Sequence, residues 1–131
     1  MPIKQLTVFL ENQTGRLAEV TRILKNQNIN LQGFSTTEAR DYGILRLIVS
    51  DTEKARQSLK DAGFTTHIAE AICVKVLDKP GELYKILEIL ANFKINIDYI
   101  YVIAGTKLVL SVGDIPKAEE ILKKNGVAIC D

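Results

Sequence analysis

The chain has 131 residues, of which 47% are hydrophobic and 25% are charged, and its formal net charge is +1. That length fits one domain or two very small ones, and the apolar content is enough to build a core, which excludes a wholly disordered chain. A near-neutral chain lacks the basic excess of a nucleic-acid binder, and its apolar runs are far shorter than the roughly 20 residues of a membrane span. The first residues show no signal peptide, so we expect a cytoplasmic protein.

The few cysteine and histidine residues argue against a metal site. There are two cysteines, Cys73 and Cys130, neither in a CxxC pair, and one histidine, His67. A zinc site needs about four such ligands, so we expect no metal and no cofactor. Cys73 lies in an apolar run and is interpreted as a small buried hydrophobic residue. A disulfide to Cys130 could form, although a reducing cytoplasm does not require one.

The first elements in chain order are a strand and an amphipathic helix. Residues Lys4–Leu10 carry β-branched and aromatic side chains and predict a strand. The period changes after Gly15, and the apolar residues then fall on one face of a helix that ends near Asn28. Thr14 is the expected N-cap, because its hydroxyl can accept from the free N–H groups of the first turn.

The next elements complete a β-α-β-β-α-β unit. The pattern of apolar residues predicts extended chain at Ile29–Glu38 and a strand at Ile44–Val49. The Asp and Gly content of Arg40–Gly43 predicts a turn between them. A second helix begins after the cap Asp51 and ends at Gly63. Residues Phe64–Ile68 form a short closing strand.

The second half repeats the first. A displacement of 66 residues places Gly15 on Gly81, and after a shorter hairpin a displacement of 63 places Asp51 on Asp114. Such a repeat predicts two units, 1–68 and 69–131, with almost no linker between them. Each is small enough to be marginally stable alone, so we expect them to associate tightly.

One helix of the second unit differs from its counterpart. The predicted helix Leu83–Phe93 is apolar on more than one face. A helix of this kind is normally buried on both sides. We therefore expect it to meet either the other unit or a second copy of the chain, which would make a homodimer.

The two turns resemble those of the ACT domain family. The matching residues are Glu11–Leu17 with Asn28–Leu31, and Asp78–Leu83 with Ile95–Ile97. The second copy is the closer match, since Thr14 stands where the family commonly has proline and Pro80 keeps it. Threonine can cap a helix where proline would start it, so the departure is mild.

This resemblance implies an α+β protein made of two ferredoxin-like βαββαβ units, each an antiparallel sheet with helices on one face. It also implies regulatory binding of small molecules, most often amino acids, held where two ACT units meet. Since no catalytic domain accompanies the two units in this sequence, the chain is similar to a free-standing tandem ACT protein. A free amino acid, a second copy and a partner enzyme are the partners implied.

The residue chemistry agrees with such a site. Glycine at 15 and 81 leaves backbone N–H groups exposed at a helix N-terminus, which favours a carboxylate. Asn12 and Asp78 can accept from an ammonium group, as can Asn30, Gln32, Asn96 and Asp98 on the second strand of each unit. They are also ordinary turn and cap residues, and one of the turns could be purely structural. The candidate ligand-binding residues are Asn12, Thr14, Gly15, Arg16, Leu17, Asn30, Asp78, Pro80, Gly81, Glu82, Leu83, Asn96 and Asp98.

Three other functions are alternatives to ligand binding: catalysis, RNA recognition and protein interaction. The sequence shows no catalytic Ser/His/Asp or Cys/His set and no phosphate-binding loop, so we expect no enzymatic activity. An RNA-recognition module has the same topology but carries aromatics on strand three, and Ile44–Val49 has none. A protein-interaction module that regulates a partner enzyme without a ligand is the alternative.

Overall fold

The computed structural model describes residues 2–38 and 41–130 of the chain. Contacts divide the protein into a first unit, Lys4–Ala69, and a second unit that runs from Glu70 onward and includes Pro2 and Ile3. The elements in chain order are β1 (Ile3–Glu11), α1 (Arg16–Asn26), β2 (Leu31–Glu38), β3 (Tyr42–Val49), α2 (Thr52–Asp61), β4 (Thr65–Lys75), α3 (Glu82–Asn92), β5 (Ile97–Ile103), β6 (Lys107–Val112) and α4 (Ile115–Lys124).

The strands of the first unit follow the order β2-β3-β1-β4. β3 pairs antiparallel with both β1 and β2, and Leu47 lies opposite Leu6 on β1 and Phe34 on β2. Alternate residues of β1 and β3 face the two helices, which bury apolar area that would otherwise be hydrated. The buried core comprises Leu6, Val8, Leu10, Val20, Leu24, Ile29, Leu45, Leu47, Val49, Ala55 and Leu59.

The second unit repeats this arrangement with the order β4-β6-β5. Its last strand is reduced to one antiparallel bridge, between Val74 and Ile129. The core again lies between sheet and helices and comprises Ile72, Val74, Ile86, Leu90, Leu108, Leu110, Val112, Ala118 and Leu122. The predicted α+β fold of two βαββαβ units is thus confirmed. β4 is a single strand that passes from one unit into the next without a linker.

Side-chain caps begin the second helix of each unit. Asp51 accepts a hydrogen bond from the Lys54 N–H at 3.1 Å, and Asp114 accepts one from the Lys117 N–H at 3.2 Å. Each bond satisfies one of the orphan donors of a first helical turn. The predicted N-cap of α2 is thus confirmed. The helix ends at Asp61 with Ala62 as its C-cap, and Gly63, the predicted C-cap, follows in the left-handed conformation (φ 95°).

Three local predictions need correction. β2 begins at Leu31 and β5 at Ile97, so Asn30 and Asn96 precede their strands. Asn30 instead joins its backbone to Ser50, donating its N–H to Oγ at 2.9 Å and accepting the Ser50 N–H at 3.0 Å. Tyr42 and Gly43 were expected in a turn but lie in β3, because pairing with β1 extends the strand; Arg40 lies outside the described residues.

The outer face of α3 is exposed. Ile86 and Leu90 enter the core, whereas Leu83, Tyr84 and Phe93 keep 43%, 67% and 48% of their surface exposed. Within the described chain the apolar residues outside the core stripe therefore stay in contact with water. Burial of this face against a second copy stays a prediction.

The cap bonds give a direct test of the repeat. We expect Asp51→Ala and Asp114→Ala each to lower the free energy of unfolding by about 1 kcal/mol, because an N–H of the first turn loses its acceptor. Urea unfolding measures this change. Asp51→Asn and Asp114→Asn keep a side-chain oxygen and should retain most of the stability. Equal losses in the Ala and Asn variants would show that the cap hydrogen bond is not what stabilises these helices.

Candidate functional site

The β1–α1 and β4–α3 turns have the same backbone. In the first, the Gln13 N–H donates to the Glu11 carbonyl at 2.8 Å, and in the second the Lys79 N–H donates to the Leu77 carbonyl at 2.9 Å. Gly15 (φ 87°, ψ −5°) and Gly81 (φ 88°, ψ −13°) then cap the helices in the left-handed conformation. Glycine adopts this conformation at little cost, which explains its presence at both positions.

The glycine caps leave helix donors unpaired. Gly15 and Gly81 have no capping side chain, so Thr14 is not the N-cap that the sequence predicts, because the helix starts one residue later. Among the described residues, the backbone N–H groups of Leu17 and Ala18 find no backbone acceptor, and neither do those of Leu83 and Tyr84. Two adjacent donors at the positive end of a helix dipole can hold a carboxylate.

Arg16 of the first turn is already engaged. Its guanidinium lies 3.3 Å from the Glu11 carboxylate and 3.1 Å from that of Glu19. It also stands over the ring of Phe64, 5.9 Å from the centroid. The hydrogen bond to Glu11 is the main cause of a raised pKa of Arg16. Asn12 is exposed, and its side chain has no partner among the described residues.

The second turn has the opposite charge at the matching position. Glu82 replaces Arg16, and its carboxylate lies 3.5 Å from the Lys79 ammonium and 3.9 Å from that of Lys85. Asp78, which matches Asn12, is exposed and its carboxylate has no hydrogen bond or ion pair among the described residues. The second turn therefore offers an unpaired anion close in sequence to two unpaired N–H donors.

A cavity lies beside each turn, on the side of the β-hairpin. Each has a volume of about 210 Å³. The first is lined by Asn12, Arg16 and Leu17, with residues of the β2–β3 hairpin. The second is lined by Asp78, Lys79 and Leu83, with Val102 from β5. Both cavities thus combine polar turn residues with an apolar wall.

The cavities on the other side of each turn differ in size. The cavity in the first unit has a volume of about 290 Å³, and the matching groove in the second unit about 680 Å³. The ring of Phe64 and the guanidinium of Arg16 line the smaller one, whereas Val127 and Glu82 take their places in the larger one. The shorter side chains leave the space open.

The candidate ligand-binding residues at the second strand of each unit lie far from the strand–helix turn of the same unit. Glu38 pairs with Gly43, which pairs with Leu10 at the turn, so this end of β2 is near Gly15. Asn30 precedes the other end, roughly 25 Å away at 3.3 Å per strand residue.

The same holds in the second unit. Ile103 and Lys75 both pair with Lys107, so the end of β5 near Ile103 is the one beside the turn. Asn96 and Asp98 lie at the beginning of β5, where the Asn96 amide donates to the Asp98 carboxylate at 3.4 Å. Neither unit by itself brings these residues to its turn. Thr14, Gly15, Pro80 and Gly81 shape the turns without lining the cavities.

Several residues of these cavities were not anticipated from the sequence. They are Phe64, Lys79, Lys85, Val102 and Val127. The signal that could have found them is the set of positions at which the two repeats differ, since Phe64 matches Val127 under the displacement of 63. Among the residues that the structure describes, no cluster suits a metal ion, and no helix is long and apolar enough to cross a membrane.

A family model described as an ACT domain pair matches residues 1–130. The chain belongs to the ACT domain pair family. The two turns are therefore the strand–helix turns of two ACT units, and the resemblance seen in the sequence is confirmed.

Solved structures agree with this assignment. The ACT pair is similar to protein BT0572 from Bacteroides thetaiotaomicron, at 39% identity and a TM-score of 0.94, over 99% of this chain and 92% of that one. It is also similar to the ligand-free regulatory subunit of aspartate kinase from Thermus thermophilus, at 16% identity and a TM-score of 0.69, over 92% and 88% of the two chains. The second likeness shows the fold alone. No curated protein matches the sequence.

The left-handed glycines of the ACT turns should be sensitive to substitution. We expect Gly15→Ala and Gly81→Ala to lower the free energy of unfolding by about 1–2 kcal/mol each, because a Cβ is strained at positive φ. An added Cβ meets nothing within 4 Å at either position, so the cost is conformational. Gly113 is equally open but does not have a positive φ, so Gly113→Ala is the matched control in a thermal or urea unfolding experiment. A loss at Gly113 as large as at Gly81 would contradict this explanation.

Proposed function

We propose that this ACT pair is a regulatory protein that binds a small molecule, and that the ligand is an amino acid held at the β4–α3 turn. The observation that carries the proposal is the combination found at that turn. The unpaired N–H groups of Leu83 and Tyr84 follow Gly81, and the unpaired carboxylate of Asp78 precedes it by three residues. A zwitterion presents the complementary charges.

Each part of an amino acid has a counterpart at the second turn. Its carboxylate would accept from the Leu83 and Tyr84 N–H groups at the helix N-terminus. Its ammonium would donate to Asp78, forming a charge-assisted hydrogen bond. Its side chain would lie in the cavity of about 210 Å³, against Leu83 and Val102. Pro80 and Glu82 act on the site indirectly, through the turn and through Lys79.

The first turn is the weaker candidate. It has the same pair of free N–H groups, at Leu17 and Ala18, but neutral Asn12 stands in place of Asp78. A neutral amide is a weaker partner for an ammonium than a carboxylate is. Arg16 is held by Glu11 and Glu19 and is better suited to fixing the turn than to contacting a ligand.

The remaining candidates complete the site only from a different unit. Asn30, Asn96 and Asp98 lie far from the turns of their own units, so their contribution requires another ACT unit, in the same chain or in a homodimer. A ligand bound between units would favour one arrangement of them over another, which is how binding could be transmitted to a partner enzyme. In this proposal the protein is cytoplasmic and has no catalytic role of its own.

One observation favours the alternative, a ligand-free interaction module. Tyr84 of α3, its C-cap Phe93 and Leu77 of the turn expose large apolar side chains. Exposed apolar surface of this kind often marks a protein contact. Such a module would keep the fold and the partner while showing no affinity for any amino acid.

Calorimetry of the full chain with each of the twenty amino acids at millimolar concentration tests the proposal. We expect at least one to bind, and Asp78→Asn to weaken that binding roughly tenfold to a hundredfold, because a charged hydrogen bond contributes about 1.5–3 kcal/mol. Asp61→Asn removes an exposed carboxylate at the end of α2 and should leave affinity unchanged. Asp78 is preferred to Gly81 for this test, since substitution at Gly81 also strains the backbone.

Two outcomes would count against the assignment. Absence of binding by all twenty amino acids would favour the interaction module. Binding that is equally strong in wild type and Asp78→Asn would remove the β4–α3 turn as the site, and Asn12→Ala would then test the β1–α1 turn.

A further inference from the structure

The two cysteines lie opposite each other in the second unit. Cys73 is on β4, and Cys130 follows the bridge residue Ile129 near the end of the described chain. The Cys130 N–H donates to the Cys73 carbonyl at 2.7 Å, and two residues along, the Lys75 N–H donates to the Ala128 carbonyl at 2.9 Å. The two hydrogen bonds and the Val74–Ile129 bridge agree with the same antiparallel register, and in this register Cys130 lies directly opposite Cys73.

This register places the two thiols on the same face of the strand pair. Residues opposite each other at a hydrogen-bonded position of an antiparallel pair have Cα atoms about 5.5 Å apart. Disulfides form at Cα separations of about 4.4–6.8 Å, so the separation expected from this register falls within the range that a disulfide spans. The two side chains are close enough to interact, since Cys130 contributes to the raised pKa of Cys73.

Both cysteines are free thiols and 2% exposed. Burial, followed by the contact with Cys130, raises the pKa of the Cys73 thiol to about 12, while the charges of Lys107 and Lys75 act in the other direction. The thiolate is the reactive form, so the buried Cys73 thiol is unreactive at neutral pH. Burial is the leading cause of this shift, and it is lost when the strand segment opens.

The segment that carries Cys130 is well placed to open. Residues 127–130 are joined to β4 by one bridge rather than by a full strand. Segments that are held by few hydrogen bonds open at a lower free-energy cost than core strands do. Opening exposes the thiols, and closing returns them to contact.

We propose that Cys73 and Cys130 form a reversible cross-strand disulfide that fastens the last strand of the second unit to β4. The oxidant is a low-molecular-weight disulfide such as glutathione disulfide. One protein thiolate attacks a sulfur of that disulfide and releases one glutathione thiolate. The other protein thiolate then attacks the mixed disulfide, forming the Cys73–Cys130 bond and releasing the second glutathione thiolate. Two protein thiols are oxidised, one glutathione disulfide is reduced, and the two protons lost by the protein are taken up by the two glutathiones.

The bond would fix one wall of the large groove. Gly126, Val127 and Ala128 line the groove of about 680 Å³ and immediately precede the segment that the disulfide fastens. In the reduced protein the segment after this wall is joined to β4 by the Val74–Ile129 bridge, and in the oxidised protein by a covalent bond as well. The inference rests on strand register and thiol contact, so it stands whether or not an amino acid binds at Gly81.

The test treats the full chain with excess glutathione disulfide under native conditions and measures its intact mass. We expect loss of two hydrogens without addition of glutathione, a Cys73–Cys130 crosslink in the non-reducing peptide map, and reversal by dithiothreitol. The oxidised protein should melt several degrees higher than the reduced protein, because the crosslink constrains the unfolded chain. Amide hydrogen exchange at residues 127–130 should slow after oxidation.

Cys73→Ser and Cys130→Ser are the matched controls. Each keeps one thiol, so the same treatment should give a mixed disulfide with glutathione and none of the rise in melting temperature. Four results would overturn the proposal: thiols that stay reduced, glutathione bound to both cysteines, a disulfide between two chains, or an oxidised protein that is no more stable than the reduced one. The comparison of oxidised and reduced wild type does not depend on whether the variants fold.

Discussion

A glycine in the left-handed conformation joins the first strand of each unit to its first helix, and the rest of each unit depends on that geometry. Gly15 and Gly81 start the helices without a capping side chain. The donors that a Ser, Thr or Asp cap would have satisfied are left for solvent or a ligand. By contrast, α2 and α4 begin with aspartate caps that use one donor internally. The fold therefore stabilises its second helices with side chains and leaves its first helices open at their positive ends.

The β1–α1 and β4–α3 turns have the same backbone conformation but carry different side chains. In the first, Arg16 joins the end of β1 to α1 and covers Phe64, and the adjoining cavity is small. In the second, Glu82 and Val127 leave a larger groove, and Asp78 brings an unpaired charge to the turn. Duplication has conserved the hydrogen bonds of the turn while the chemistry around it has changed. Arg16 of the first turn contacts two carboxylates and an aromatic ring, whereas Asp78 of the second turn has no partner among the described residues.

The fold could be predicted from the sequence because the repeat fixes element order and the apolar period fixes the cores. The turns could also be predicted, since glycine after a strand and before a helix has few alternatives. What could not be predicted depends on tertiary placement. The guanidinium of Arg16 has a partner, Phe64, that is 48 positions away in sequence. The N-cap is Gly15 and not Thr14 because of the backbone angles at Gly15, which the sequence does not specify. The contact between Cys73 and Cys130 follows from the register of a strand that is only a single bridge long.

β4 is the feature with the widest practical consequence. It serves as the closing strand of one unit and the opening strand of the next, and the boundary at Ala69 and Glu70 falls inside it. Dissection of the protein into single units would therefore cut a hydrogen-bonded strand instead of a flexible connection. Each fragment would carry a shortened edge with open backbone donors and acceptors, which is a template for aggregation. A truncation placed at Ala69 or Glu70 would interrupt β4, so the two units are better expressed together in one chain.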